Sequence, residues 1–399
     1  MKSIKDIYKI GRGPSSSHSM GPQAAALRFA RAYPRAARYK VILYGSLAKT
    51  GKGHLTDVAI NEVLPAYKTE IIFCTDDIPL PHENTMDFFA YDADGNEIGT
   101  MRILSIGGGD IVLEGEEPDE KADIYPENSF AEIAEYCKLR NIRISDYVEE
   151  KEGESIWAYL SEVWDCMQHA IHMGLTTRGI LDGGLEVERF AANLFNQRHI
   201  DESKTTREHR LVCSYAYAVG EENAGGGIVV TAPTCGASGV LPAVLKYKGE
   251  ALGASEDEIL RALAVAGIIG NLVKQNASVS GAECGCQAEI GTACSMAAAA
   301  LAKLFDMGID QIEYAASIAL EHHLGLTCDP VCGLVQIPCI ERNAVAAMRA
   351  INAVTLASFL TFTRKISFDL VVKTMYETGK DLHSRYRETS EGGLAKLYK

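Results

Sequence analysis

The chain has no run of lysine or arginine. It carries 39 basic against 53 acidic residues among 399, a formal net charge of -14. A surface of that sign repels nucleic acid and anionic lipid, so a polyanion partner is excluded. Long apolar runs are missing too: ALAVAGIIGNLV is broken by Lys274 and is too short to cross a bilayer. The start, MKSIKDIYKIGRG, is charged and has no apolar core of a signal peptide, which predicts a cytoplasmic protein. No P-loop lysine follows GRGPSSSHSMGP, so nucleotide binding is not supported. None of the 11 cysteines belongs to a CxxC pair, the usual spacing of zinc and ferredoxin sites.

What is present is a soluble composition, 47% hydrophobic and 23% charged, in a chain long enough for two cores. Residues 1–141 read as mixed α/β. RYKVILYGSLA and YKTEIIFCT are β-branched runs, and MDFFAYDADGNEIGTMRILSI is two such runs joined at Asp94-Gly95-Asn96, a hairpin signal that makes the sheet partly antiparallel. GPQAAALRFARAY places Pro22 at a helix start, and FAEIAEYCKLRNI closes this half as a further helix. Residues 142–399 turn to alanine-rich helical segments such as ESIWAYLSEVWDCMQHAIHMGL, EIGTACSMAAAALAKLF, DQIEYAASIALEHHLGL and AVAAMRAINAVTLASFLTFTRKI. GGIVVTAP is the main strand candidate there. The class is therefore α+β, with VEEKEGE as the boundary-like stretch and no internal repeat.

Four stretches are too rich in Gly, Ser, His and Cys for ordinary packing. In GRGPSSSHSMGP, Ser15, Ser16, Ser17, His18 and Ser19 precede a helix start, where hydroxyls and free N–H groups suit a carboxylate or phosphate. GSLAKTGKGHLTD sets Lys52 and His54 one glycine apart; a histidine in such a break can act as a general base near neutral pH, and a neighbouring cation favours its neutral form. ENAGGGIVVTAPTCGASGVLP leads a strand into a turn whose amides can hold an anion. The fourth is the cysteine set. GAECGCQAEIGTACSM and HHLGLTCDPVCGLVQIPCIERNA together place six cysteines within 56 positions, which points to soft-metal chemistry without fixing the metal. Disulfides are not expected in a reducing compartment, and Cys74, Cys137, Cys166 and Cys213, standing alone among apolar or mixed neighbours, read as packing residues.

At these residues the chain resembles the iron-sulfur-dependent L-serine dehydratases (L-serine ammonia-lyases) of bacteria in their single-chain form. The matching stretches run in order over nearly the whole length: GPSSSHSMGP, SLAKTGKGHLTD, ENAGGG, TAPT, NASVSGAE, GCQAEIG, LGLTCDPV, QIPCIERNA and RYRETSEGGLA. The resemblance implies a small N-terminal domain (1–141), similar to an allosteric substrate-binding domain, followed by a helical catalytic domain (142–399). It implies a 4Fe-4S cluster held by Cys286, Cys328 and Cys339, with Cys284 and Cys294 as packing residues.

Three ligands for four irons leave one iron open as a Lewis acid, and the reaction implied is β-elimination of water from L-serine to give pyruvate and ammonia. The resemblance makes His54 the base, with His18 and Lys52 assisting, and Ser15, Ser16, Ser17, Asn84 and Thr234 as substrate-binding residues. A small-molecule substrate, no nucleic-acid or membrane partner and a homodimer complete the expectation. The chain departs from the family at Cys235, at Cys332 and in a C-terminus without cysteine. The fourth iron position is then open, water-bound or taken by Cys235, Cys284 or Cys332. Cys235 also leaves room for the same elimination on L-cysteine, releasing sulfide. A non-catalytic iron-sulfur or zinc sensor would have no use for the Ser/His-rich stretches of the other half.

Overall fold

The computed structural model describes residues 1–398 except 77, 117–121, 199–200 and 361–363. Five strands form one twisted sheet in the order β3-β2-β4-β5-β6: Arg38–Leu43 (β2), Thr69–Phe73 (β3), Thr85–Tyr91 (β4), Glu97–Gly107 (β5) and Asp110–Leu113 (β6). β2 runs parallel to β3 and antiparallel to β4, and β4, β5 and β6 form an antiparallel meander. The hairpin predicted at Asp94-Gly95-Asn96 closes β4 onto β5. Gly95 takes φ +86°, and the Asp92 carboxylate accepts from the N–H groups of Asp94 and Asn96 at 2.9 and 2.8 Å, a side-chain turn of the kind Asp favours. The helix Gly21–Ala32 covers one face, burying Ala25, Ala26 and Phe29 against Val41, Leu43 and Phe88.

The rest is helical. Ser155–Thr176, Thr292–Leu304 and Ile309–Glu321 appear where alanine-rich spacing predicts them. Cys339–Leu360 does so as far as Leu360; its expected continuation crosses residues 361–363, outside the described residues. The hub is Thr292–Leu304, whose residues Thr292 to Ala302 are all buried. Its alanines let four neighbouring helices, Val240–Leu252, Glu256–Asn276, Ile309–Glu321 and Cys339–Leu360, approach closely. VEEKEGE is no linker: most of it lies in the helix Ile144–Glu152, with Val148 buried. Cys339–Leu360 is long and apolar enough to cross a membrane, and its residues Ala346, Ala347, Ala350 and Ala353 are buried against the other helices.

Two hydrophobic clusters divide the interior. One belongs to the sheet, from Ala25 to Leu113. The other contains the helical body together with Met1, Ile4, Ile7, Tyr8, Tyr125, Phe130 and Cys137, so both ends of the first 141 residues pack into the helices. A short strand absent from the sequence reading, Ile10–Arg12 (β1), pairs antiparallel with Ile228–Val230 (β7), Ile10 opposite Val230. This ladder brings the serine-rich turn onto the helical body. Gly13 N–H donates to the Gly227 carbonyl at 2.9 Å, and Asn223 Nδ2 donates to the Pro14 carbonyl at 2.9 Å.

Two helices approach closely at Gly174. A Cβ there would lie 2.0 Å from the Ala218 carbonyl oxygen on the facing helix Lys204–Ala224. Gly174→Ala should therefore lower stability by about 1–3 kcal/mol or more through overpacking, although alanine is the better helix former. A thermal unfolding midpoint equal to or above the parent's would contradict that packing.

Candidate functional site

Six segments from distant parts of the chain meet around a small cavity of about 30 Å³ lined by Pro14, Ser15, His54, Gly236, Cys286, Glu289, Cys328, Cys339, Arg342 and Glu388, among others. Cys286 follows Gly285, whose φ of +72° turns the chain sharply before the irregular turn Gln287–Gly291. Cys328 sits in the loop after Ile309–Glu321, and Cys339 opens the helix Cys339–Leu360. The ligand atoms of Cys286, Glu289 and Cys328 lie within 4.8 Å of one another. Cys339 lines the same cavity.

Placing three thiols and two carboxyl groups in one buried pocket is unfavourable for every anion involved. The Cys328 thiol is pushed well above its usual range by its hydrogen bond with Cys286 and by burial, and Cys339 by burial and the nearness of Cys286. Burial raises Glu289 as well. Glu388 is driven up to about 8 by burial and by Glu289. A bound metal centre reverses this, because its positive charge holds thiolates deprotonated. Soft sulfur donors, buried and converging, fit an iron-sulfur group.

The histidines approach from the sheet side. His18 lies in a five-residue wide turn, Ser16–Met20, that leads into Gly21–Ala32. Its ring is held at both nitrogens, Nδ1 by Ser17 Oγ at 2.8 Å and Nε2 by Ser46 Oγ at 2.9 Å. His54 packs against it with ring centroids 4.5 Å apart. Ser19 Oγ donates to the His54 carbonyl at 2.7 Å and Thr56 Oγ1 to the His18 carbonyl at 2.5 Å, fixing the two backbones together. Both nitrogens of the His54 ring are buried without a hydrogen-bond partner among the described residues. Burial lowers His54 to about 4, and burial and the neighbouring His54 hold His18 well below the ordinary imidazole range. Both rings are uncharged at neutral pH.

The remaining expected residues divide. Ser15 lines the cavity, while Ser16 and Ser17 build the turn behind it. Thr234 Oγ1 donates to Glu289 Oε1 at 2.7 Å and so orients the carboxylate. Asn84 is not among the lining residues: its Nδ2 lies 3.4 Å from the Ser105 carbonyl, and its Oδ1 is buried without a partner among the described residues. Lys52 points out: its side chain is 76% exposed, 3.9 Å from Asp57 and over the Phe73 ring, because a hydrated ammonium gains more in water than beside a buried imidazole.

The cysteines considered for a fourth position also turn elsewhere. Cys235 Sγ contacts Met20 Sδ at 3.4 Å, Cys284 is buried beneath Gly379, and Cys332 is exposed. Cys294 is buried with its Sγ 3.2 Å from the Ala346 carbonyl. Sequence reasoning missed Glu289, Arg342 and Glu388. The first two stand three residues after a cavity cysteine, a helical spacing that marks them in retrospect. Arg342 is fixed by donating to the Thr327 carbonyl at 2.7 Å and to Asp329 at 2.9 Å.

Residues 91–395 match the serine dehydratase alpha chain family and residues 3–67 the serine dehydratase beta chain family. An L-serine dehydratase of Haemophilus influenzae is 41% identical, with 99% of each chain covered. One from Streptomyces coelicolor is 42% identical over 98% of each. L-serine dehydratase 2 of Escherichia coli is 41% identical, covering 99% of this chain and 98% of its own.

A buried neutral histidine makes stability depend on pH. The unfolded chain takes up a proton near pH 6.5 that folded His54 refuses until about pH 4, so stability falls as pH drops through that window, by up to about 1.4 kcal/mol per pH unit for one such group. In His54→Gln the slope of unfolding free energy between pH 6.5 and 4, measured with urea, should be shallower by about one proton. An unchanged slope would mean that the ring is charged or solvated in the folded protein.

Proposed function

This chain belongs to the serine dehydratase family, with beta-chain and alpha-chain modules in one polypeptide, and from that we propose that it is an L-serine ammonia-lyase converting L-serine to pyruvate and ammonia. The observation that carries the reading is the meeting of three cysteines with an uncharged, unpartnered histidine in one cavity. In this reading residues 1–141 are the β module, residues 142–399 the catalytic α module, and the cavity is their junction. A cytoplasmic homodimer belongs to the same proposal; Val345 and Phe359, 59% and 76% exposed on Cys339–Leu360, are apolar surface that a second copy would cover.

Cys286, Cys328 and Cys339 would hold a 4Fe-4S cluster, which when bound supplies Lewis acidity toward the β-hydroxyl and makes hydroxide a tolerable leaving group. The protein's own groups do the rest. His54 takes the proton from Cα: its ring is unprotonated across the neutral range, and neither nitrogen is committed to another bond. His18, locked between Ser17 and Ser46, holds the His54 ring against the cavity wall. Arg342, fixed by Thr327 and Asp329, offers a guanidinium edge to a carboxylate, and Ser15 adds a hydroxyl. Loss of the Cα proton and of the β-hydroxyl leaves an enamine. It tautomerises to an imine that water hydrolyses to pyruvate and ammonia.

L-Serine rather than L-cysteine is the substrate in this reading, since the Cys235 thiol faces Met20 and Gly236 lines the cavity in its place. Protein purified without oxygen should be brown, with about four iron and four sulfide per chain, and should bleach in air. Cys286→Ala, Cys328→Ala and Cys339→Ala should each lose the chromophore, while Cys294→Ala keeps it; a colourless, active preparation would sink the cluster. His54→Ala should retain iron and colour but lose turnover of L-serine by roughly 10²-fold or more. Full activity in that variant would move the base elsewhere, and faster turnover of L-cysteine than of L-serine would change the substrate.

A further inference from the structure

The C-terminal segment is tied across the cysteine loop like a strap. Cys328 N–H donates to the Tyr386 carbonyl at 2.8 Å, and Glu388 N–H donates to the Cys328 carbonyl at 2.9 Å. Ser390 Oγ donates to the Pro330 carbonyl at 2.7 Å, and Leu394 N–H donates to Asp329 at 2.8 Å. The strap is not relaxed backbone: Glu388 and Ser390 adopt φ of +58° and +57°, a left-handed conformation costly for residues with a Cβ. Its effect is to turn one acidic side chain inward. Glu388 is 8% exposed and lines the cavity beside Ser15, His54, Cys286 and Cys328.

That carboxyl group has no lysine or arginine partner among the described residues. Its contacts are the Ala282 N–H and, at 4.0 Å, Nδ1 of His18, a ring kept neutral by burial. Arg342 lines the same cavity but is held by Asp329 and Thr327. With no basic side chain paired to it, this buried carboxyl group is open to a cation carried in by a ligand. The cavity thus has a fixed positive group and a separate free acidic group, the arrangement that suits a small zwitterion.

Resting on the lyase reading above, we propose that Glu388 receives the α-ammonium of the amino-acid substrate and makes the site reject 3-hydroxy acids that lack it. The carboxylate end of the substrate goes toward Arg342 and Ser15, the ammonium toward Glu388, and Cα is presented to His54. Selectivity of this kind arises because a substrate without the ammonium leaves a buried carboxyl group unpaired.

The test uses the cluster-loaded enzyme with L-serine as substrate and 3-hydroxypropionate, the same three-carbon hydroxy acid without the ammonium, as competitor. In the parent, the inhibition constant for 3-hydroxypropionate should exceed the KM for L-serine by about 30-fold or more. Glu388→Gln should raise the KM for L-serine by about 30-fold or more and change the inhibition constant for 3-hydroxypropionate by less than about 3-fold, with iron content and visible spectrum unaltered. An unchanged KM with a collapsed kcat would overturn the proposal in favour of proton transfer, loss of iron in favour of ligation, and equal weakening of both compounds in favour of a structural role. Should Glu388→Gln fail to fold, the parent alone decides, since equal affinity for the two compounds refutes recognition of the ammonium. A parent without activity on L-serine would refute the lyase reading itself, whereas an active parent with an indifferent Glu388→Gln refutes only the role of Glu388.

Discussion

Three residue pairs hold the site together. The ladder between Ile10–Arg12 and Ile228–Val230 is too short to stabilise much alone, since isolated two-stranded ribbons are marginal, yet it sets where the serine-rich turn lies relative to the helices. Both sides reinforce it. Thr231 Oγ1 donates to the Ile7 carbonyl at 2.7 Å and accepts from Lys9 N–H at 2.8 Å, while Ile4, Ile7 and Tyr8 are buried in the helical cluster. The first eight residues therefore anchor the strand in the helical body, and the chain enters the sheet module only after passing the cavity. The histidines reach the cysteines because the N-terminus is packed into the module it serves.

Charge explains how the cavity is divided between the modules. The helical side supplies groups that a bound metal centre would hold as anions, Cys286, Cys328, Cys339 and Glu289, and the sheet side supplies rings that burial keeps neutral. A protonated His54 among those anions would pair with them and lose its free nitrogens. His18 itself is fixed between two serine hydroxyls, and among the described residues no carboxylate lies within hydrogen-bonding distance of it; a hydroxyl satisfies either tautomer without drawing a proton onto the ring. The same logic accounts for Lys52. An ammonium inside the cavity would neutralise the thiols in place of a metal centre, and the structure keeps it in solvent.

Sequence legibility followed the range of the interactions. The alternating and alanine-rich periodicities, the Asp-Gly-Asn hairpin and the motifs around His18, His54 and the three cysteines are encoded within a few residues of one another, and among the described residues the hairpin and most of each alanine-rich helix formed where they were read. Glu289 and Arg342 were half visible, each a helical turn beyond a cysteine in GCQAEIG and PCIERN. Glu388 was not, because its burial depends on the strap crossing Cys328, 60 positions earlier in the chain. The strand Ile10–Arg12 was hidden for a similar reason: three residues with one glycine show no alternation, and only the partner strand more than two hundred residues away makes them a strand. Lys52 misled because adjacency in sequence to His54 says nothing about side-chain direction in a tight turn.

Glu388, carried by the strap bonded to Cys328, lines the cavity, and none of Cys235, Cys284 and Cys332 lines it. Among the described residues, the acidic oxygen nearest the sulfurs is Oε2 of Glu289, 3.8 Å from Cys286 and 4.0 Å from Cys328, and its other oxygen is held by Thr234. A carboxylate oriented in this way is a harder and weaker donor to iron than a thiolate. A water or a substrate hydroxyl would displace such a donor from a bound metal centre more readily than it would displace sulfur. The strap that crosses Cys328 would limit solvent access to such a centre.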